Sequence, residues 1–455
     1  MMIIRADQAL TAEGWVRDVS LAIGEDGRIA EIREAGGDAS HHVAIALPAP
    51  ANLHSHAFQR AMAGLTESRG PDPRDTFWTW RRLMYRFLER LTPDHVEAIA
   101  AQVFLEMAEA GYGAAVEFHY LHHAPDGAAY GNIAEMSERI VNAAGRVGLG
   151  LTLLPVLYSQ GGCDGRALSG GQTRFGNEPE GFARLFDGAR AAVAGGPGDF
   201  GLGVAPHSLR AVSEAGLRMA VDLWPEGPVH MHLAEQVAEV EEVEKFMGAR
   251  PAEWVLDNLE VDRRYCFIHA TQMTDDETVR LAKSGAVAGL CPITEANLGD
   301  GIFNGTRYLG AGGQFGVGSD SNVHIALFEE LQALEYSQRL RDRSRAALAE
   351  QGRSAGRVLY EGAARGGAQA AGRGKGGLAV GEYADILGIA SDNEWLCGRQ
   401  GDVALDSLIF GGHGRDCVSD VWSAGRHVVK GGRHAERDEI TREFRRVVAE
   451  LGQEI

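Results

Sequence analysis

The sequence has few cysteines and no long apolar run. The five cysteines are Cys163, Cys266, Cys291, Cys397 and Cys417. They are scattered and never form a C-x-x-C pair, which argues against a disulfide framework and predicts a reduced, cytoplasmic protein. No apolar run is long enough to cross a membrane. The first residues, MMIIRADQALTAEGW, lack the basic start and apolar core of a secretory signal.

Basic residues are also in the minority. The chain of 455 residues has 44 lysines and arginines against 63 acidic residues, a formal net charge of -19. This charge argues against nucleic acid and anionic membranes as partners. A small anionic substrate would need a local cationic site. The hydrophobic content of 45% is ordinary for a globular protein, so the chain can build one large domain with an appendage, or two to three domains.

Short apolar strands alternate with amphipathic helices through the middle of the chain. The candidate strands are 44–56, 113–123, 150–158, 200–209, 228–235, 265–270, 285–292 and 314–320. Strands of this kind are parallel and buried on both faces. Eight strand–helix units predict an α/β fold of the (β/α)8 TIM-barrel type. A doubly wound open sheet is the alternative that periodicity alone leaves open.

Both chain ends also have sequence patterns that are typical of strands. Near the N-terminus the strand candidates are MIIRADQAL, DVSLAIG and RIAEIREA, and near the C-terminus they are GLAVGEYADILGIA, ALDSLIFGG and VSDVWSAGRHVVKGG. The N-terminal strands need a partner sheet, which the C-terminal strands can supply. We therefore expect a small β-sandwich domain built from residues 1–48 and 376–455, with a final helix, beside a barrel of residues 49–375.

Histidines and a carboxylate gather where the candidate strands end. His54 and His56 stand two apart in ANLHSHAFQR, a spacing that puts both side chains on one face of a strand. His232 comes near the end of the fifth strand, and Asp320 ends the eighth. The carboxyl ends of barrel strands form the catalytic mouth. Three imidazoles and a carboxylate suit Zn²⁺ or a similar divalent ion and leave room for water.

Two further titratable residues also lie at the ends of candidate strands. Glu235 lies three residues after His232, and His269 ends the sixth strand. Taken singly, each residue has an ordinary structural explanation; Asp320, for example, stands in a good helix-capping sequence. Their joint occurrence at strand ends favours a catalytic site.

Other histidines and a carboxylate near the strand ends are expected to be structural. His230 lies deeper in its strand than His232 and is interpreted as a residue that packs in the core or supports a metal ligand. The second strand end carries Glu117, His119, His122 and His123, which we do not predict as ligands.

Lysine is the scarcest charged residue, and its placement restricts the metal site. The four lysines are Lys245, Lys283, Lys375 and Lys430. Candidate strands one to five therefore carry no lysine, which excludes a carboxylated lysine there as the bridge of a two-metal centre. A carboxylate bridge stays possible, but a single metal ion is the better prediction.

The ordered set H-x-H, H-x-x-E, H and S-D, on a barrel with a two-ended β domain, resembles the amidohydrolase superfamily in its mononuclear deaminase branch. The resemblance covers nearly the whole chain. Within that branch, LHSHAFQRAMAGL, DTFWTWRRLMY, APHSLRAV and HMHLAEQ resemble the N-formimino-L-glutamate iminohydrolases of bacterial histidine degradation. The match at FWTWRRLMY is more specific than the metal motif, which many deaminases share.

The resemblance implies a role for each matching residue. One Zn²⁺ per subunit would be bound by His54, His56, His232 and Asp320. Acid–base catalysis would involve Glu235, His269 and Asp320. The substrate would contact Gln59, Arg81, Tyr120, His207 and Arg210. Arg81, next to Arg82 in WTWRR, resembles an arginine that the family lends across a dimer interface, so a homodimer is also implied.

The expected substrate is a small diacid amidine, which explains why an acidic protein would carry an arginine after the fourth strand. The planar fork of Arg210 suits a carboxylate, although a surface salt bridge is its ordinary alternative. Two other functions stay open. One is deamination of another amidine or aminated ring, such as formiminoaspartate or guanine. The other is a barrel that has lost catalysis and serves as a binding or assembly protein.

Overall fold

The computed structural model describes residues 1–65, 67 and 84–452. The strands, labelled β1 to β17 in chain order, are Met2–Thr11, Gly14–Ile23, Ile29–Glu34, His41–Pro48, Ala51–Ser55, Ala114–His119, Gly150–Leu157, Gly201–Leu202, Ala205–Pro206, Val229–Leu233, Tyr265–His269, Val287–Leu290, Gln314–Val317, Ile386–Ile389, Val418–Ser423, Arg426–Lys430 and Arg433–His434. Within the described residues, the α-helices with defined ends are Pro93–Glu109, Glu135–Val147, Pro179–Ala194, Glu214–Leu223, Val237–Met247, Pro251–Asn258, Asp275–Lys283, Pro292–Leu298, Gly305–Gly310, Leu327–Asp342, Ala355–Ala371, Asp402–Phe410 and Arg437–Gly452. Short 3-10 helices cover Ala57–Met62, Gly170–Arg174 and Arg415–Cys417. Of the helices described, none is long and apolar enough to span a bilayer.

The central strands form a closed parallel barrel. Strands β5 to β8 make one parallel sheet, with β9 also beside β7, and β10 to β13 make a second. Parallel bridges join the two sheets on both sides, from Ser55 to Asp320 and from Val204 to Val229. Because the sheets meet at both edges, the predicted (β/α)8 barrel is confirmed and the open doubly wound sheet is excluded.

The two chain ends share one eight-stranded sheet, in the order β17-β16-β15-β14-β4-β1-β2-β3. The N-terminal and C-terminal halves meet where β4 pairs antiparallel with β14. A separate core belongs to this sheet and includes Ile4, Leu21, Val43, Ile386 and Trp422. The predicted fold class, a barrel with a small β domain built from both ends, is confirmed.

Two candidate strands are interrupted. Residues 44–56 were expected to be continuous, but β4 ends at Pro48 and β5 begins at Ala51. Prolines 48 and 50 have no N–H to give to a sheet ladder, so the chain can leave one sheet and enter the other there. Residues 200–209 break at Gly203, where a Cβ atom would lie 2.6 Å from the carbonyl oxygen of Pro228.

The expectation that ALDSLIFGG is strand-like was wrong. Most of this segment lies in the helix Asp402–Phe410, and its buried side chains are Ala404, Leu405, Leu408 and Ile409. Their spacing repeats after four residues, which puts them on one helical face. Short apolar runs do not distinguish strand from helix, because both elements can bury them.

A buried arginine ties the β domain to the barrel. The Arg373 side chain, 4% exposed, contacts Asp199 Oδ2 at 3.1 Å and Asp385 Oδ1 at 3.0 Å. Asp199 lies just before β8 of the barrel, whereas Asp385 lies just before β14 of the β domain. Arg426 adds a contact of 2.6 Å to Asp199. The network fixes the β domain against the barrel.

Candidate active site

The closure of the barrel brings the predicted metal ligands together. The Asp320 N–H donates to the His54 carbonyl, and the His56 N–H donates to the Asp320 carbonyl, both at 2.9 Å. The Asp320 Oδ1 atom lies 3.4 Å from His54 Nε2 and 3.3 Å from His56 Nε2. Ligand atoms of these three residues and of His232, on β10, lie within 4.8 Å of one another. All four residues are buried.

The hydrogen bonds of the three histidines leave nitrogen atoms for a metal ion. His56 Nδ1 donates to the Phe118 carbonyl at 3.0 Å, and His232 Nδ1 donates to the His207 carbonyl at 3.2 Å. These contacts fix the tautomer in which Nε2 carries a lone pair. Within the described part of the chain, neither ring nitrogen of His54 has a hydrogen-bond partner, although both are buried. The donor set therefore fits a zinc-type ion.

The electrostatics of this cluster also fit a cation. Burial lowers the pKa of His54 to about 3, against the smaller opposing effect of Asp320, so its imidazole is neutral. Burial would raise the pKa of Asp320, but the close approach of the His54 ring, then of His56 and His269, holds this pKa well below its usual range. Neutral imidazoles and an ionised carboxylate are the forms that bind metal.

Glu235 and His269 face this cluster. His269 Nε2 lies 3.8 Å from Glu235 Oε1 and 3.8 Å from Asp320 Oδ2. Its other nitrogen, Nδ1, donates to Glu295 Oε1 at 3.3 Å. Burial would lower the pKa of His269, but the charges of Glu235, Asp320 and Glu295 raise it well above its ordinary value. The ring is therefore oriented between three carboxylates.

The backbone around these residues is strained. His269 has a φ of 70°, Asp320 of 45° and Ala234 of 51°, in the left-handed region that non-glycine residues rarely adopt. Such conformations persist only where surrounding contacts determine them. Asn322 supplies part of that support, because its Nδ2 donates to Ser55 Oγ and to the His56 carbonyl, both at 3.1 Å.

The described substrate-contact candidates line one cavity with the catalytic residues. The cavity is bordered by His56, Gln59, Tyr120, His207, Arg210, His232, Glu235, His269 and Asp320. Gln59 Nε2 donates to the Tyr120 hydroxyl at 2.7 Å. Among the described residues, no hydrogen-bond partner reaches Gln59 Oε1 or Arg210 Nε, both of which are buried. Arg81 lies outside the described residues.

The remaining strand-end residues make structural contacts. His230 Nε2 donates to the Ala370 carbonyl at 2.8 Å. His122 Nε2 and His123 Nε2 bond to backbone carbonyls of neighbouring segments. Glu117 Oε1 accepts the Ala57 N–H at 2.7 Å, next to His56. Burial raises the pKa of Glu117 to about 8, although hydrogen bonds from Ser55 and Ala57 oppose the rise. His119 is also buried.

Several residues of the site were not predicted from the sequence. Tyr158 and Phe175 add aromatic walls to the cavity. Tyr158 ends the third candidate strand, so its position at a strand end could have predicted it, as it predicted His269. Phe175 lies in a loop after that strand, where no pattern marks it. Glu295 and Glu239 reach site residues from helices, and only the folded chain brings them there.

Comparison with known proteins agrees with this geometry. The model of the amidohydrolase family matches residues 45–428, and the model described as the N-terminal domain of the formimidoylglutamate deiminase HutF matches residues 1–41. A formimidoylglutamate deiminase from Pseudomonas aeruginosa is 48% identical over 455 residues, covering 99% of this chain and 100% of the relative.

Solved structures show the same architecture. An amidohydrolase from Brucella melitensis has a TM-score of 0.95 at 49% identity and covers 99% of this chain and 100% of its own. An adenosine deaminase from Xanthomonas campestris, solved with bound zinc, has a TM-score of 0.82 at 18% identity, with coverage of 99% and 98%. This more distant likeness supports the fold alone.

Proposed function

The chain belongs to the amidohydrolase family, and from that premise we propose that it is a zinc-dependent iminohydrolase that converts N-formimino-L-glutamate and water to N-formyl-L-glutamate and ammonia. The observation that carries the proposal is that Arg210 lines the same cavity as Glu235, His269 and Asp320. A cation for a substrate carboxylate thus stands beside groups suited to proton transfer. The extent of the likeness to the Pseudomonas aeruginosa relative supports the same substrate.

One zinc ion per subunit would be held by His54, His56, His232 and Asp320. When bound at such a site, zinc lowers the pKa of water and makes it a nucleophile at neutral pH. The four side chains support this assignment through their buried, closely spaced ligand atoms. The absence of lysine before position 245 favours one ion over a lysine-bridged pair.

The chain's own residues would move the protons of the reaction. Water adds to the amidine carbon, and Asp320, which is ionised before the reaction, accepts a proton from it. Glu235 carries a proton to the amidine nitrogen, so that this nitrogen leaves as ammonia and not as a strongly basic anion. His269 lies within 4 Å of both carboxylates and would stabilise charge on the oxygen of the tetrahedral intermediate.

Arg210, Gln59 and Tyr120 would select the diacid. The guanidinium of Arg210 stays charged, and its planar set of donors matches a carboxylate. Burial would lower the pKa of Arg210, but the charges of Glu239 and Glu235 raise it. Gln59 and His207 add polar groups to the cavity wall. A purine would need groups that read the edge of a ring, and the Arg210 side chain, which is 12% exposed, favours a carboxylate.

The proposal also includes a homodimer in the cytoplasm, with Arg81 reaching the neighbouring site, and the division into a β domain of residues 1–48 and 376–455 and a barrel of residues 49–375. The five free cysteines are compatible with a reducing compartment. Light scattering would measure the molar mass of the native protein and therefore its oligomeric state. The same measurement on the Arg81→Ala variant would show whether the dimer needs this arginine.

A substrate panel tests the function. The zinc-loaded protein would be assayed for ammonia release from N-formimino-L-glutamate, N-formimino-L-aspartate and guanine at equal concentrations. We expect the highest kcat/KM with the glutamate derivative. Faster release from the aspartate derivative would change the substrate, and release only from guanine would overturn the diacid specificity. If zinc restores no hydrolysis of any of the three, a non-catalytic role is favoured.

A further inference from the structure

Glu239 is a buried carboxylate that the proposed reaction does not use. It lies in the first turn of the helix Val237–Met247, and the residue is only 2% exposed. A buried carboxylate is costly unless its oxygens are hydrogen bonded or paired with a cation. Glu239 meets both conditions, and each of its partners belongs to the candidate active site.

The first set of partners is the turn that carries Glu235. The Ala234 N–H donates to Glu239 Oε1 at 3.1 Å, and the Glu235 N–H donates to Glu239 Oε2 at 2.9 Å. Ala234 has a φ of 51°, so this turn contains a strained residue whose conformation needs outside support. Glu239 supplies that support directly beneath the Glu235 backbone.

The opposite side of the turn is held by other groups. The Gln272 N–H donates to the Ala234 carbonyl at 2.8 Å, and Gln272 Nε2 donates to the Glu235 carbonyl at 3.4 Å. Gln236 donates from its side chain to Asp300. The N–H groups of the turn thus depend on Glu239, whereas its carbonyl groups depend on Gln272.

The second partner of Glu239 is Arg210, which lies in the loop after β9. Arg210 Nη2 lies 3.9 Å from Glu239 Oε2, and the two side chains are 12% and 2% exposed. Among the described residues, Arg210 Nε finds no hydrogen-bond partner. At 3.9 Å the two groups attract each other by charge without a hydrogen bond, so Glu239 draws the guanidinium to this side of the cavity and leaves its Nε donor for a substrate carboxylate.

We propose that Glu239 is a positioning residue that connects substrate recognition to proton transfer, because one carboxylate fixes both the Glu235 turn and the Arg210 guanidinium. The inference rests on the proposed diacid substrate and adds a specificity-determining contact to it. A residue that only started the helix would have no need of an ion pair with Arg210. The bond to the Glu235 N–H predicts an effect on kcat, and the ion pair predicts an effect on KM.

The variant Glu239→Gln separates these two effects. Its amide keeps one oxygen acceptor, but its nitrogen cannot accept the second N–H, and the negative charge is lost. We expect kcat to fall about 10- to 100-fold, as when other supporting hydrogen bonds at metal sites are removed. We also expect KM to rise in the native background but not when Arg210 is already Met, whereas the kcat loss persists there.

A second change tests the strained turn and distinguishes a loss of support from misfolding, because a misfolded variant would not regain activity. Glycine adopts positive φ without cost, so Ala234→Gly should relieve the need for support. We expect the double variant Ala234→Gly/Glu239→Gln to have a higher kcat than Glu239→Gln, with Ala234→Gly alone as the reference. The matched control is Glu241→Gln on the exposed side of the same helix, which should leave kcat and KM unchanged.

Crystal structures of the native chain and of Glu239→Gln give a readout that needs no substrate. We expect the separation of Glu235 Oε1 and His269 Nε2 to exceed its present 3.8 Å in the variant. An unchanged turn together with a kcat within twofold of native would overturn the proposal, as would a KM rise that is the same without Arg210. Failure of the native chain to hydrolyse formiminoglutamate would reject the proposed function, and the crystallographic test of Glu239 would still stand.

Discussion

Asp320 and His54 meet at the seam where the barrel closes. The Asp320 N–H donates to the His54 carbonyl at 2.9 Å, and Asp320 Oδ1 lies 3.4 Å from His54 Nε2. The last barrel strand thus presents its carboxylate directly to the histidines of the first. The same backbone contacts that close the barrel assemble the candidate metal site, so folding and metal binding are linked.

Removal of a metal ligand should abolish zinc binding and activity together. For His232→Asn we expect less than a tenth of the zinc content of the native protein and a fall in kcat/KM of more than about 100-fold, because Nε2 of this ring faces the site. The control is His230→Asn, two residues earlier, whose ring bonds to the Ala370 carbonyl. Elemental analysis should find zinc retained in the control; zinc retained in both variants would remove His232 from the ligand set.

Replacement of Arg210 by lysine should weaken diacid recognition despite the conserved charge. Lysine cannot offer two parallel N–H donors to one carboxylate. We expect kcat/KM for formiminoglutamate to fall about 10- to 100-fold, the equivalent of about one charge-assisted hydrogen bond. Arg218→Lys is the control, since this arginine is 49% exposed and pairs with Glu214 on the surface. Equal kinetics for both variants would mean that Arg210 does not meet the substrate.

Glu295→Gln should reduce kcat without much effect on KM. One oxygen of the carboxylate, Oε1, accepts from His269 Nδ1 at 3.3 Å and from the Cys291 N–H at 2.9 Å, and the amide variant keeps an acceptor oxygen but loses the negative charge. We expect a fall in kcat of about 10- to 100-fold, because the imidazole loses its orienting charge. Steady-state kinetics with formiminoglutamate measure the two constants. A change in KM alone would show that Glu295 shapes binding and not the chemistry.

The buried ion network at Arg373 should contribute strongly to stability. Arg373→Met leaves Asp199 and Asp385 without their shared buried cation, and loss of one partner of a buried pair costs about 3–5 kcal/mol. Arg365→Met is the control, because Arg365 is 51% exposed and its removal should cost less than about 1 kcal/mol. Urea unfolding measures both. Similar losses for the two variants would contradict the role of Arg373 in joining the β domain to the barrel.

His119 should make the protein less stable in mild acid. Burial lowers its pKa from 6.5 to about 3 in the folded chain. As pH falls below 6.5, the unfolded chain binds a proton that the folded chain does not, so stability is full above pH 6.5 and declines below it. Between pH 7.5 and pH 5.5 the loss from one such group is about 1.4 kcal/mol.

The variant His119→Leu isolates this effect. Its free energy of unfolding should fall less than that of the native protein between the two pH values, by about 1.4 kcal/mol. Zinc release by the other histidines affects both proteins and cancels in the difference. An identical pH dependence would mean that His119 accepts a proton in the folded state.

The sequence was sufficient for the barrel and for the set of residues that the barrel brings together. Parallel strands end on one face, so strand-end residues such as His54 and Asp320 could be grouped without knowing their distances. Local patterns were insufficient where tertiary contacts decide. The helix Asp402–Phe410 has an apolar pattern that a strand can also show, and Glu239 reaches Arg210 only because the helix Val237–Met247 lies beside the loop that carries Arg210.

The different roles of His230 and His232 could also be predicted from their positions within the strand. His230 and His232 alternate with Met231, so the residue nearer the strand end faces the mouth and the deeper one packs against Ala370. The supporting carboxylates had no such signal. Glu295 lies on the helix Pro292–Leu298, where an acidic side chain in the first turn is common for reasons unrelated to catalysis.

Identification of the bond that is broken tests the central claim most directly. N-formimino-L-glutamate labelled with ¹³C at the formimino carbon would be incubated with the zinc-loaded protein and followed by NMR, together with an ammonia assay. We predict that the label appears in N-formyl-L-glutamate, with one ammonia released for each molecule converted. Label in formamide with free glutamate, or no conversion while guanine is deaminated, would contradict the account.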